Sequence, residues 1–230
     1  MDGHGGYMNG SRYYGEDLPI NTWYMKRFAG LSEDGLSLWY YTDKETNEEK
    51  TTTTYSTGDF YLCGDPNPDL YGGFGTSITF HGFDLSTQFS YLVGGLTYDY
   101  GYAGMMGNPT ATSVGNRWHK DVLKAWSPEN PSSTIPRWHF NDLNTTGSSD
   151  RFLIDGSYLN LQNIQVGYTL PDSWTSHLKI KNLRLYFVCD NVYYWSKRKG
   201  LDPRRSISGV GTSGKIAPFR TYSGGISLQF

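Results

Sequence analysis

Long apolar runs are missing from this chain. No stretch approaches the roughly 18 residues that a membrane-crossing helix requires, which excludes a helical span but not a strand of about 9–11 alternating residues. Cysteine is nearly absent as well. Cys63 and Cys189 are too few for a disulfide scaffold and lack partners at metal-ligand spacing, so both read as structural thiols. Charge is sparse and balanced, with 18% charged residues and a net charge of −2, so nothing suggests a nucleic-acid or polybasic membrane surface. The opening MDGHGGYMNG has no basic segment followed by an apolar one, so no signal peptide is expected there, and an exported protein would have this chain begin in the middle of something longer.

Catalytic and metal constellations are missing too. His4, His81, His119, His139 and His177 are scattered, none paired with a Glu at zinc-protease spacing, and no G-x-S-x-G elbow occurs. The expectation is a protein that is not an enzyme and holds no cofactor. Asp65, Asn67 and Asp69 in DPNPD alternate as calcium ligands do. Two prolines and the lack of a following Gly and Glu favour a turn instead.

What is abundant is aromatic side chains, 16% with 19 Tyr and 7 Trp, and 28 Gly, a composition of strands and turns. In YGGFGTSITF, Phe74, Ile78 and Phe80 share one parity, and Gly73, Gly75, Ser77 and Thr79 share the other. After His81-Gly82 the scheme repeats, with Phe83, Leu85, Phe89, Tyr91 and Val93 against Asp84, Ser86, Gln88 and Ser90. Period-2 alternation on both sides of a tight turn predicts a hairpin. Asn21–Leu31 and Leu36–Tyr41 predict another. Leu153–Leu170 changes phase between Leu161 and Ile164, which places a bulge near Gln162-Asn163. Ile180–Trp195 and the closing strand, Tyr222, Ile226, Leu228 and Phe230 against Ser223, Gly225, Ser227 and Gln229, complete about six long strands.

The connections are unequal. His81-Gly82 and Pro171–Lys179 are short, whereas Thr42–Leu70, Gly94–Arg151 and Ser196–Ala217 are long and polar. Long loops at one end and short turns at the other fit an all-β antiparallel up-and-down meander of the outer-membrane kind, with all long connections on one side. Tyr98/Tyr100/Tyr102 and Tyr193/Tyr194/Trp195 stand near strand ends, where interfacial aromatic girdles sit. A half-solvated sheet in a soluble sandwich fits the alternation as well, and a soluble all-β carbohydrate-binding module is the alternative function. The two differ in whether Phe74, Phe80, Phe89, Ile226 and Phe230 are exposed in the chain by itself.

Several segments resemble the C-terminal portion of SusC/RagA-type TonB-linked outer-membrane transporters. They are NTWYMKRFAGLSEDG, PDLYGGFGTSITFHGFDLSTQFSYLVGG, HKDVLKAWSPENPSSTIPR, SSDRFLIDGSYLNLQNIQVGYTLP, DNVYYWSKRKGLDPR and SGGISLQF, in that order and covering nearly everything after residue 20. The resemblance implies that residues 1–230 form the last portion of a 22-stranded transmembrane β-barrel, without plug, signal or TonB-contacting segment, and with 95–151 as a long extracellular loop. It implies import of oligosaccharides or oligopeptides across the bacterial outer membrane. The implied partners are a SusD-like surface lipoprotein as lid, TonB–ExbB–ExbD acting through the plug, outer-membrane lipid and the barrel-assembly machinery. Ser223, Gly225, Leu228 and Phe230 match the terminal signal that this machinery reads.

Two further features have a functional and a structural reading. Trp118, Trp126 and Trp138 in the 95–151 segment are candidate sugar-stacking rings or local packing. HKDVLKAW predicts a short helix with Val122, Leu123 and Trp126 on one face. Lys197, Arg198, Lys199, Arg204 and Arg205 are a solvated loop or a contact for anionic lipopolysaccharide or a partner lipoprotein.

Overall fold

The structure, a computed structural model, describes residues 5–107, 118–140, 142, 147–198, 202–205, 208–210 and 218–230. Lys199, Gly200 and portions of the Gly94–Arg151 and Ser196–Ala217 connections lie outside the described residues. In chain order the strands are β1 (Gly6–Asn9), β2 (Arg12–Gly15), β3 (Thr22–Lys26), β4 (Phe28–Leu31), β5 (Ser37–Thr42), β6 (Glu49–Thr52), β7 (Phe60–Leu62), β8 (Leu70–Phe80), β9 (Phe83–Val93), β10 (Leu96–Tyr98), β11 (Leu153–Asp155), β12 (Tyr158–Thr169), β13 (Asn182–Ser196) and β14 (Thr221–Gln229). Two short helices, α1 (Tyr100–Met105) and α2 (Asp172–Thr175), complete the regular structure. The chain divides into two compact units: Met1–Asn67, Gly95–Asp155 and Arg205–Gly214 form the first, and Pro68–Gly94, Gly156–Arg204 and Lys215–Phe230 the second.

The second unit is one five-stranded antiparallel sheet in sequence order, β8-β9-β12-β13-β14. Its tight turn is local chemistry. His81 (φ 47°) and Gly82 (φ 82°) both take positive φ, the requirement of a primed two-residue hairpin turn. The β12–β13 connection is compact, made of α2 and a following 3₁₀ turn, with Lys179 left-handed at its end. The remaining connections leave from the opposite edge, where Leu70 pairs Val93 and Tyr158 pairs both Leu92 and Ser196.

The bulge falls where the alternation changes phase. β12 slips register between Leu161 and Asn163 against both of its neighbours. The extra residue returns Ile164, Val166 and Tyr168 to the face already held by Leu159 and Leu161, because directly paired residues share a face. That face is apolar across all five strands: Phe74, Ile78 and Phe80; Phe83, Leu85 and Phe89; Ile164 and Val166; Leu185 and Phe187; Ile226 and Leu228. Phe74 is 56% exposed, Phe80 69%, Ile226 66% and Phe230 73%, so no second sheet among the described residues covers it. Phe89 alone of the five marker residues is half-buried, stacked on Phe74 at 4.8 Å. An exposed apolar band of this extent is the opposite of a sandwich core.

The first unit differs from the sequence expectation. Asn21–Leu31 is not one arm of a hairpin: β3 joins a β1-β2-β3-β7 sheet, and β4 pairs β5 in a separate β4-β5-β6 sheet. Among the described residues the long strands therefore number five rather than about six. The physical reason is burial on both faces of β3, where Trp23 and Met25 enter the core while Lys26 is buried too. Thr42–Leu70, expected to be an open polar connection, contributes β6 and β7. The 95–151 segment supplies much of the core: Tyr98 and Met106 pack with Trp23, Met25 and Phe152, and Val122 and Ile135 pack against them. Tyr98, read from sequence as a girdle residue, is 3% exposed, and Tyr102 packs on the same core.

Arg12 lies over the Trp23 ring at 3.1 Å and donates to the carbonyls of Asn21 and Ser208. Burial pulls its pKa down to about 10, and Arg151 likewise to about 10.

Candidate functional site

In the first unit, a cleft of about 680 Å³ opens beside β3 and β7. Register places Tyr24 opposite Leu62 and Lys26 opposite Phe60, so these four share one wall. Lys26 lies under the 55–58 loop and is fully engaged: Nζ donates to the carbonyls of Tyr55 (2.6 Å), Ser56 (3.3 Å) and Gly58 (2.6 Å). Burial lowers its pKa and the Asp59 carboxylate opposes that fall. Asp59 in turn accepts the Thr42 backbone N–H at 2.7 Å, fixing the cleft's other side.

Arg27 is the cleft's most versatile group. Its guanidinium lies 4.2 Å from the Tyr61 ring and 4.6 Å from the Tyr40 ring, and Nη2 donates to Glu49 at 2.6 Å. Arg27 Nε is buried without a hydrogen-bond partner among the described residues, and the buried Tyr61 Oη has the Thr42 side chain beside it. Burial pushes the Tyr61 phenol up, so it is a neutral donor at physiological pH. No sequence pattern marks this group, because Arg27, Asp59 and Tyr61 are ordinary residues that only tertiary pairing assembles.

The three tryptophans do not converge. Trp118 and Trp138 meet edge to face at 5.4 Å, and both indole N–H groups donate to the Gly107 carbonyl, at 3.0 and 3.3 Å. Trp126 packs elsewhere, its ring occupying the space a side chain at Gly35 (φ 73°) would need. HKDVLKAW forms a 3₁₀ turn over Lys120–Lys124, not an α-helix. Val122 packs on the core while Leu123 is 90% exposed, so the two do not share a face. The tighter 3₁₀ pitch separates positions that an α-helical spacing would align.

The polar face of the second unit carries its own built feature. Arg184 on β13 grips Asp84 on β9 with two bonds, Nε at 2.9 Å and Nη2 at 2.6 Å, across the intervening β12. Gly167 makes this possible: a Cβ there would run into both charged groups. Arg184 also stands 5.2 Å from the Tyr186 ring, and that ring lies over Gly225 on β14.

Nearer the long connections, Arg204 is not a solvated loop cation. It pairs with Asp202 at 2.8 Å, donates to Asn160 Oδ1 at 2.6 Å and stacks on Tyr194 at 4.7 Å. Exposed Tyr193 and Trp195 instead occupy the apolar face, edge to face at 4.9 Å.

In the closing strand, Leu228 pairs Leu183 and Ile226 pairs Leu185 on the apolar face, whereas Ser223 and Gly225 lie on the polar one. Phe230 follows the last paired residue, Gln229, whose carbonyl accepts the Lys181 N–H at 2.8 Å. Cys63 and Cys189 are free thiols; burial pushes Cys63 up to about 11. Asp65 accepts the Asn67 N–H at 2.8 Å, a local turn. Asp150, in the SSDRF stretch, accepts the Phe28 N–H at 2.8 Å, and burial raises its pKa.

No family model matches the chain. It is 29% identical over 235 residues to TonB-dependent receptor P3 of Formosa agariphila, an alignment covering 98% of this chain and 22% of that protein. To TonB-dependent receptor SusC of Bacteroides thetaiotaomicron it is 27% identical over 182 residues, 77% of this chain and 17% of SusC. Among solved structures, a chain of the RagAB peptide transporter superposes with a TM-score of 0.81 at 25% identity, over 100% of this chain and 25% of its own. The chain thus spans about a fifth of the length of the curated relatives it matches.

Proposed function

We infer that this chain, which is related along its length to the SusC/RagA-type TonB-dependent receptors, supplies part of the wall of an outer-membrane importer for oligosaccharides or oligopeptides. One observation carries the reading: a continuous exposed apolar face across five antiparallel strands in sequence order, backed by a polar face. Eleven residues of β9 run roughly 33 Å, enough to cross a hydrocarbon core even when tilted. Aromatics stand toward both ends of the band, Tyr193 and Trp195 at one and Phe80, Phe83 and Tyr168 at the other, as interfacial girdles do.

In this reading β8 and β14, each paired on one side only among the described residues, continue into further strands of a closed 22-stranded barrel, and an unpaired edge is thereby removed. The apolar face meets lipid and the polar face, with Asp84, Arg184 and Gln229, lines the interior. The long connections, including 95–151, stand outside the cell, where a SusD-like lipoprotein lids the mouth. TonB–ExbB–ExbD supplies energy through a plug domain, and the barrel-assembly machinery reads Ser223, Gly225, Leu228 and Phe230. The relatives are named as receptors and a transporter, and we assign this chain no catalysis.

The experiment is fractionation of the native host together with expression of the 230-residue chain alone. The reading expects the protein in the outer-membrane fraction, resistant to carbonate and urea extraction, and an isolated chain that stays soluble only with detergent. A monodisperse 26.0 kDa species that unfolds cooperatively in detergent-free buffer would favour the soluble carbohydrate-binding module and overturn the importer.

A further inference from the structure

We propose that a shallow groove on the apolar face of β9, β12 and β13 seats one phosphorylated glycolipid of the lipid A kind, an acyl chain lying along β12 and a phosphate against Lys197. The proposal rests on the importer reading, which puts this face in the membrane, and goes beyond it by assigning one place on that face a ligand. The groove encloses about 480 Å³. It lies wholly within the second unit, at the end of the sheet from which the long connections leave.

Register and two ring contacts shape it. Leu159 pairs with Tyr91 on one side and Trp195 on the other, so the three side chains stand in one row. Tyr91 leans away from Leu159 toward β8: its hydroxyl lies 2.8 Å from where a Cβ on its pairing partner Gly72 would stand. The Trp195 ring packs edge to face on Tyr193 of its own strand, at 4.9 Å. Leu159 is thereby left as a floor between two aromatic walls. Ser157 extends that floor to the end of the sheet, its hydroxyl accepting the Gly94 N–H at 2.9 Å.

The two ends of the groove differ, and the difference selects the ligand. At the outer end stands Lys197, the single charged residue of the lining among the described residues. Asp69 approaches Gly94 but is not part of that lining. At the inner end the groove meets the next row of the apolar face, Phe89, Leu161 and Tyr193. An occupant must therefore carry an anion at its head and an apolar tail that follows the strands. A lysine whose stem lies on apolar surface while its charge reaches the headgroups is suited to receive such a lipid. Phosphatidylethanolamine has an ammonium beside its phosphate and would bring it toward Lys197. The phosphates of lipid A have no such neighbour, so their charge complements the groove's outer end.

The test uses the full-length receptor carrying this chain, purified in detergent and freed of lipid, as wild type, Lys197→Gln, Trp195→Ala, Gly72→Val and Phe187→Leu. Native mass spectrometry counts bound molecules in titrations with diphosphoryl lipid A, the same lipid without its phosphates, phosphatidylethanolamine and inorganic phosphate. The wild type is expected to hold one diphosphoryl lipid A more tightly than any of the other three. Lys197→Gln should weaken it about fivefold, the effect of one lysine at an anionic lipid surface, and leave the dephosphorylated lipid unchanged. Trp195→Ala removes a wall and should weaken both forms about tenfold. Gly72→Val keeps Lys197 and Trp195 but drives the Tyr91 ring from its place, and should also weaken both. Phe187, against Tyr222 elsewhere on the apolar face, is the control, and Phe187→Leu should change nothing. Heat-dependent gel mobility checks that each variant is folded.

Equal affinity of Lys197→Gln and wild type for diphosphoryl lipid A would overturn the proposal. So would phosphatidylethanolamine or inorganic phosphate binding as tightly as lipid A, or no bound lipid at all. A loss in Phe187→Leu as large as in Trp195→Ala would also overturn it, by showing acyl contact everywhere on the face rather than a seat. The importer reading has its own readout in the outer-membrane fractionation. A receptor found in that fraction but holding no lipid A keeps the importer and discards only the groove.

Discussion

Gly225 offers a sharp test, because two different explanations for its presence make opposite predictions. Its place in the closing strand matches the assembly signal, yet the structure gives it a packing reason: it pairs with Tyr186, whose ring crosses it. A Cβ on Gly225 would overlap that ring, so in Gly225→Ala the Tyr186 side chain must swing away. Forced repacking of this kind costs about 1–3 kcal/mol. Replacing a strand glycine by alanine returns about 0.5–1 kcal/mol of backbone entropy. The net expectation is destabilisation of up to about 2.5 kcal/mol. In a Tyr186→Ala background the overlap is gone and Gly225→Ala should be neutral or slightly stabilising. The cycle should therefore show a coupling of about 1–3 kcal/mol. It is measured in the full-length receptor by urea unfolding from liposomes, followed by Trp fluorescence and heat-dependent gel mobility. Additivity within about 0.5 kcal/mol would refute the packing argument. A drop in outer-membrane level that is the same with and without Tyr186 would then leave recognition during assembly as the reason for Gly225.

Two further expectations concern Phe230 and Cys63. Phe230→Ala should lower the amount of assembled receptor sharply while the barrel that does form keeps its heat stability, because the ring is 73% exposed and contributes well under the roughly 1.5–3 kcal/mol of a buried Phe; Leu228→Ala should be milder, Gln229→Ala silent, and equal levels for all on immunoblots of outer membranes would contradict the assembly role. For Cys63 the folded thiol holds its proton to about 11 whereas an unfolded one releases it near roughly 8.5, so its contribution is intact at neutral pH and is lost as pH rises from about 9 to 11. Discounted for partial exposure, the loss should be about 1–2 kcal/mol in denaturant titrations of the receptor, and Cys63→Ala should flatten that part of the pH curve; an unchanged slope would show that the thiol is not desolvated.

The second unit was legible because period-2 patterns encode it locally. His81-Gly82, the Gln162-Asn163 slip and the Ser223/Gly225 parity are each decided by a few neighbouring residues. The first unit was not, for a reason visible in β3. TWYMK alternates, but Trp23 and Met25 meet a core drawn from Tyr98, Met106 and Phe152, far along the chain, and Lys26 is buried against the 55–58 loop. Burial on both faces erases the distinction between apolar and polar sides on which the pattern depends. Tyr98 and Tyr102 join that core while Tyr100 stays exposed, and nothing local in the sequence separates an aromatic that seeks an interface from one that fills a core. Arg204 reads as loop charge until Asp202, Asn160 and Tyr194 are seen around it.

The polar face shows how far a sheet with one wet side can be held together without a core. Asp84, Arg184, Tyr186 and Gly225 form a single line of contacts over β9, β12, β13 and β14. Each step across it depends on an absent side chain, at Gly167 beneath the ion pair and at Gly225 beneath the ring. An apolar core is unavailable to such a sheet, because its apolar residues are committed to the other face. Aligning that face requires the bulge in β12: without the extra residue between Leu161 and Asn163, either Leu159 and Leu161 or Ile164 and Val166 would turn to the polar side. The same slip would carry Gly167 out from under Asp84 and Arg184 and place a side chain where the ion pair crosses. One inserted residue thus fixes both faces, and deleting Gln162 should break the ion-pair crossing and the apolar band together.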